Sequence, residues 1–238
     1  MSDGGVNPDP VPYSSPLSRR RVLGGVGLAA AGGVAMTSAA SVLAPAVSEA
    51  GSITPATGHS GTTVAEFVAH IDQNGAAFTA YGYFTQISGT QSSDLFSAAD
   101  RTEATALFTA AASGTLVARS SDDIIHSLDI QGEFDIFQRS GPGASFSTPA
   151  SFSQGTKVAT YTLVLQDVLT VIDTNKGIPT LTGDMVQSDA QKLSGALSKQ
   201  RFGRKATRLR IFATGLGVRT EATAPVASLK VAGNLTVA

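Results

Sequence analysis

The chain has 238 residues, 17 of them basic and 18 acidic, with three histidines, no cysteine and a formal net charge of −1. Charge this balanced argues against a nucleic-acid binder or a polybasic membrane binder. The absence of thiols excludes a disulfide scaffold, so stability must come from packing, and the length is enough for one domain with a sizeable core.

Residues 1–46 read as an export signal. A polar lead, Met1–Pro16, runs into Arg19, Arg20 and Arg21, then into an apolar stretch from Val22 to about Leu43. Ala44-Pro45-Ala46 supplies the small residues a signal peptidase needs, with cleavage after Ala46. The consecutive arginines after Ser18, and an apolar stretch rich in Gly and Ala rather than Leu, resemble a twin-arginine signal. That resemblance implies export of a folded protein by the bacterial twin-arginine machinery, to the cell envelope or the medium. Two other readings compete. Gly25, Gly27 and Ala30 fit the dinucleotide fingerprint, but that motif needs a buried strand where the three arginines stand. Val22–Leu43 is also long enough to span ~30 Å of hydrocarbon at ~1.5 Å per residue, although its five glycines, with Thr37, Ser38 and Ser41, weaken insertion. Cleavage removes three of the 17 basic residues and two of the 18 acidic ones, leaving 14 against 16 and a net charge of −2. No stable membrane insertion is expected after it. Residues 47–62, rich in Ser, Thr, Gly and Pro, read as a flexible linker.

Period-two alternation dominates from Thr63 onward. Thr63–Ile71 aligns Ala65, Phe67, Ala69 and Ile71; a helix over 64–70 is the competing assignment. Asn74-Gly75 is a hairpin signal, because both residues tolerate positive φ. Phe78–Ile87 places Phe78, Ala80, Gly82 and Phe84 on one face and Tyr81, Tyr83 and Ile87 on the other. A polar loop over Gly89–Arg101 precedes a strand at Thr102–Ala112, and Ser113-Gly114 is expected to turn the chain into another at Thr115–Arg119. Ile124–Gln138 aligns Ile124, His126, Leu128, Ile130, Phe134 and Ile136, opposite Ser127, Asp129, Gln131, Glu133 and Asp135. Gly132 interrupts the apolar face and marks a bend or a close approach.

After a loop at Ser140–Gly155, Thr156–Ile172 is apolar on both faces, as for a strand covered on each side. Its length predicts a bulge near Gln166-Asp167. Asn175-Lys176-Gly177 turns into Ile178–Gln187, and Ser188–Lys205 is a basic, partly helical connection. Ala206–Thr220 carries Leu209, Ile211 and Ala213, then Gly215 and Gly217, and Val226–Val237 closes the chain. These eight or nine strands predict an all-β domain over 63–238, either a two-sheet sandwich or a closed barrel. A single antiparallel β-barrel of about eight strands, with a little helix in its connections, is the expectation carried forward. Closure leaves no open edge, and a lumen of that size holds one small ligand.

The run ATYTLVLQDVLTVIDTNKGIPTLTGDMVQ, then RFGR, FATGLGVRT and the last apolar strand, resembles the second half of allene-oxide-cyclase-like and dirigent-like barrels. The resemblance spans roughly 63–238 and rests on strand order, turn placement and the glycine-bearing penultimate strand. It implies a small barrel with a central cavity that binds or folds apolar substrates, bacterial relatives including cyclases of polyketide pathways. No catalytic motif aligns residue by residue, so it carries over no catalytic residue.

His59, His70 and His126 are scattered without ligand spacing, so no metal is expected, and no cofactor motif stands. His126 on an apolar face reads as a satisfied core histidine. No G-x-S-x-G elbow exists. Asp129, Glu133 and Asp135 read as a solvated face. Asp167, between Leu165 and Leu169, must find a donor or take up a proton, which suits a general acid or base; exposure by a bulge, or an arginine partner, is the structural alternative. Tyr81 and Tyr83 suit a ligand cavity as well as a plain core or rim. Arg208 and Arg210, aligned with Phe212, bind an anionic group or pair with carboxylates. Lys199–Arg210 reads as a solvated connector, and the Asn234 sequon as a chance match in a strand.

The expected ligand-binding set is therefore Tyr81, Tyr83, Asp167 and Arg210 around a small apolar molecule, with Asp167 the weak catalytic candidate. The expected function is a secreted apolar-ligand barrel, storing its guest or acting as a cofactor-independent cyclase or isomerase. The alternative is a non-catalytic envelope or extracellular binding protein, and the oligomeric state stays open.

Overall fold

Eight long strands follow one another round a closed barrel, each hydrogen-bonded to its neighbours in sequence and the last to the first. They are β1 (Thr63–Asn74), β2 (Ala77–Ile87), β3 (Phe108–Asp122), β4 (Ile125–Gln138), β5 (Thr156–Asp173), β6 (Lys176–Ala190), β7 (Arg208–Glu221) and β8 (Val226–Val237). Every barrel pairing is antiparallel. The computed structural model describes residues 59–221 and 225–238, with the backbone of Gly51 and Ser52. The expected leader with its Arg19–Arg21 motif, the expected cleavage point after Ala46 and most of the expected linker lie outside the described residues.

The ladder registers fix which side chains look inward. Leu128 pairs with Asp167, which pairs with Leu181, and Leu181 pairs with Ala213. Ile71 pairs with both Ala80 and Leu229. One alternation per strand thus supplies the lumen, the arrangement expected of a closed sheet. Inward glycines let the walls coil this tightly. A Cβ at Gly132 would overlap the Ser113 carbonyl oxygen, and one at Gly215 that of Lys230.

The two ends differ. The short turns β1–β2, β3–β4, β5–β6 and β7–β8 all lie at one end, where Gly75, Asp123 and Asn175 take positive φ. The three long connections, 88–107, 139–155 and 191–207, leave from the other. The last of these seals its end: Leu193, Leu197 and Phe202 are buried, and the inward Gln187 amide donates to the Phe202 carbonyl at 2.7 Å. Above this plug the lumen is packed with Phe84, Tyr161, Met185 and Leu209. The other two connections fold back over the outer face of β2 and β3. Thr109 donates to the Phe152 carbonyl at 2.7 Å, and Arg139 donates to the carbonyls of Ser151, Gly141 and Gln154. The result is a cup, closed below and bounded above by the β1–β2, β3–β4 and β5–β6 turns and by the ends of β7 and β8.

Three expectations are corrected. Ser113-Gly114 is no turn; it lies inside one continuous strand, β3, where Gly114 faces Gly132 and a Cβ on it would press on Ile130. The segment 102–107 belongs to the preceding connection, so the barrel strands number eight, beside a two-residue parallel pairing of Gly51–Ser52 with Gln200–Arg201. The long strand β5 has no bulge at Gln166-Asp167; its register shifts lie between Lys157 and Ala159, at Thr160/Tyr161 and at Val171/Asp173, and Asp167 keeps its inward place.

Candidate functional site

The open end holds a cavity of about 190 Å³. Phe78, Leu128, Leu169 and Leu229 form much of its wall, with Asp167 among them and Arg119, His126, Lys176 and Arg219 at the rim. Two inward glycines, Gly177 and Gly217, face each other across β6 and β7 and keep this wall thin. A second, apolar space of about 70 Å³ lies between Phe67, Phe134, Leu163 and Leu181. Below it the lumen is filled by the buried side chains of Phe84, Tyr161, Met185 and Leu209.

Asp167 is 2% exposed. Its carboxylate accepts a single hydrogen bond, from the Thr180 backbone N–H at 3.2 Å. Among the described residues no arginine pairs with it, and no bulge exposes it, so neither structural alternative for this residue is realised. Burial among leucines disfavours the charged form and pushes its pKa from the ordinary 3.8 up to about 6, the Thr180 N–H pulling weakly the other way. The group therefore changes charge within the range where proton transfer to or from a bound molecule is useful.

The remaining expected ligand residues lie elsewhere, because their parity points them outward. Tyr81 pairs with His70 and Ala111 on the outer wall, and Tyr83 with Val68 and Thr109. Both are buried all the same, because the two folded-back connections cover them. Tyr81 lies 5.6 Å from the Phe152 ring, and Tyr83 meets Phe96 edge-on at 6.3 Å. His70 stacks on Phe146 at 3.8 Å. The Tyr81 hydroxyl donates to Asp72 at 2.8 Å, and burial together with that carboxylate pushes its pKa up to about 12. Arg210 is an exposed outer residue, 3.3 Å from Asp184. Tyr81, Tyr83, Asp167 and Arg210 thus do not share one cavity.

Other singled-out residues find plainer places. Asp135 lies 2.6 Å from Lys157 and accepts from Thr160 at 2.7 Å, so part of the acidic face is a paired outer ladder rather than a solvated one. His126 sits at the mouth, bonded to Ser121 at 2.8 Å, and is not a core residue. Arg119 and Arg219 were not singled out from the sequence. Arg219 carries the same parity as Gly215 and Gly217, a readable signal. A register shift between Leu116 and Ala118 turns Arg119 inward, and nothing in the local pattern announces it.

Among the described residues no cluster of three His, Cys, Asp or Glu is arranged to hold a metal ion, and no helix is long and apolar enough to cross a membrane. Comparisons with protein families, with curated proteins and with solved structures found no match.

Proposed function

We propose that the barrel binds a small apolar molecule in the mouth half of its lumen, in the manner of allene-oxide-cyclase-like and dirigent-like proteins, with Asp167 as the polar group that meets it. One observation carries this reading: a carboxyl 2% exposed, with a single backbone donor, borders a cavity of about 190 Å³ beside Phe78, Leu128, Leu169 and Leu229, with polar and basic side chains at its rim. A carboxyl whose pKa is about 6 holds both protonation states near neutrality. Protonated, it donates to a carbonyl or a developing oxyanion; ionised, it removes a proton. Cyclisation or isomerisation of a folded apolar substrate needs little more than confinement, exclusion of water and one such group.

The export reading rests on Arg19, Arg20, Arg21 and the small residues ending at Ala46, and it puts the protein's work in the envelope or the medium. A non-catalytic binding role there is the second reading. The packed lower lumen favours it, since Phe84, Tyr161, Met185 and Leu209 occupy space a larger substrate would need.

Native mass spectrometry of protein recovered from its own culture medium tests the proposal. The expected result is a co-purifying small apolar molecule, lost on Asp167→Ala. A clean apo mass under gentle conditions, with no uptake of a neutral apolar dye, contradicts it.

A further inference from the structure

Among the residues that border the cavity, basic side chains outnumber carboxylates, although Asp122, Asp123, Asp173 and Glu221 stand at the neighbouring strand ends. The whole chain carries a net charge of −1. The charged residues bordering the cavity are Arg119, Lys176 and Arg219 against a single carboxyl, Asp167, set among the wall leucines. Lys176 is partly committed, 3.5 Å from Asp173. Arg119 and Arg219 are not: among the described residues neither takes part in an ion pair or a side-chain hydrogen bond.

Topology brings these two arginines together. Arg119 pairs with the inward Leu128, and Arg219 stands two residues beyond the inward Gly217 and pairs with Ala227 of the cavity wall. They stand on β3 and β7, four strands apart in a ring of eight, and so on opposite walls of the mouth. Arg119 is also two strands from Asp167 along the row Arg119–Leu128–Asp167, about 10 Å at the usual interstrand spacing. Among the described residues the two form no ion pair.

Resting on the apolar-cup reading above, we propose that the guest is an amphiphile with an anionic head, held by Arg119 and Arg219 from opposite sides of the mouth. Guanidinium groups bind carboxylates through paired charge-assisted hydrogen bonds, which a neutral head of the same size does not reproduce. The volume limits the tail. A cavity of ~150 Å³ accepts benzene, so the space here takes one ring or a short alkyl chain, with the head at the rim.

Titration calorimetry at pH 7.5 and low salt, with octanoate and 1-octanol as probes, tests this on the full exported protein. Octanoate is expected to bind at least about tenfold tighter than 1-octanol, as charge-assisted bonds require. The double variant Arg119→Gln/Arg219→Gln is expected to bring octanoate down to the alcohol's affinity and to leave the alcohol within about twofold. Arg208→Gln, an exposed change on the outer face, is expected to alter neither. If 1-octanol binds as tightly as octanoate, or Arg208→Gln weakens octanoate as much as the double variant does, the anionic-head assignment is overturned and the apolar cup stands. If neither probe binds the unaltered protein, both fall. The comparison of the two probes on the unaltered protein reads the result even if the double variant is unstable.

Discussion

Replacing Asp167 by Asn should make the protein more stable at neutral pH, by an amount that vanishes in acid. The folded-state pKa of Asp167 lies at about 6, above the ordinary 3.8 expected in the unfolded chain. Well below pH 3.8 the group is protonated in both states and costs nothing. Between pH 4 and 6 the unfolded chain releases its proton while the folded chain retains it, so the stability contributed by this residue falls as pH rises, and above 6 the loss is complete. At ~1.4 kcal/mol per pH unit the loss is about 3 kcal/mol. The amide of Asp167→Asn keeps an acceptor for the Thr180 N–H and carries no charge to desolvate. Urea unfolding followed by far-ultraviolet circular dichroism suits a chain without tryptophan. Measured at pH 4, 5, 6, 7 and 8, the difference between variant and parent isolates this carboxyl from all the others. The expected difference climbs from about 0.5 kcal/mol at pH 4 to about 3 kcal/mol at pH 7 and above, or ~6–12 °C in Tm for a domain of this size. A variant that tracks the parent at every pH, or is less stable than the parent at pH 8, would refute the reasoning.

Three further outcomes follow from the packing. Gly132→Ala should cost about 2–3 kcal/mol in urea unfolding, because its Cβ overlaps the Ser113 carbonyl, whereas Gly141→Ala, with nothing within 4 Å, should stay within about 0.5 kcal/mol. Arg139→Ala removes a guanidinium that donates to Ser151, Gly141 and Gln154; it should cost about 1–2 kcal/mol and raise amide exchange over 139–155 while the β5–β6 ladder keeps its protection. In an alkaline spectrophotometric titration Tyr81 should ionise near pH 12, and Asp72→Asn should bring it earlier, since the Asp72 carboxylate is one of the causes holding it up.

Much of the barrel was legible because lumen and exterior alternate along each strand. Leu128, Ile130, Phe134 and Ile136 all look inward, as their spacing implied, and Asn74-Gly75 closes the β1–β2 hairpin. Asp167 was legible as a buried carboxyl because leucines flank it at both i−2 and i+2. The site as a whole was not. The alternation along β2 separates Phe78, Ala80 and Gly82 from Tyr81 and Tyr83, but it does not say which set faces the lumen when both are covered. The decision was made far away in sequence, by Phe96, Phe146 and Phe152 folding over the outer wall. Ser113-Gly114 misled for a related reason: a glycine that admits a neighbouring strand and a glycine that turns the chain look alike until the partner, Gly132, is known. Arg119 escaped notice because a one-residue slip in register reverses the facing of everything beyond it.

Intermolecular nuclear Overhauser effects between 1-octanol and the methyl-labelled protein test most directly the apolar guest proposed for the mouth half of the lumen. Contacts from the alkyl chain to the methyls of Leu128, Leu169 and Leu229, which wall the cavity, are the predicted result. Contacts confined to exposed outer methyls such as Val164 and Leu216, with none to the three wall leucines, would contradict it.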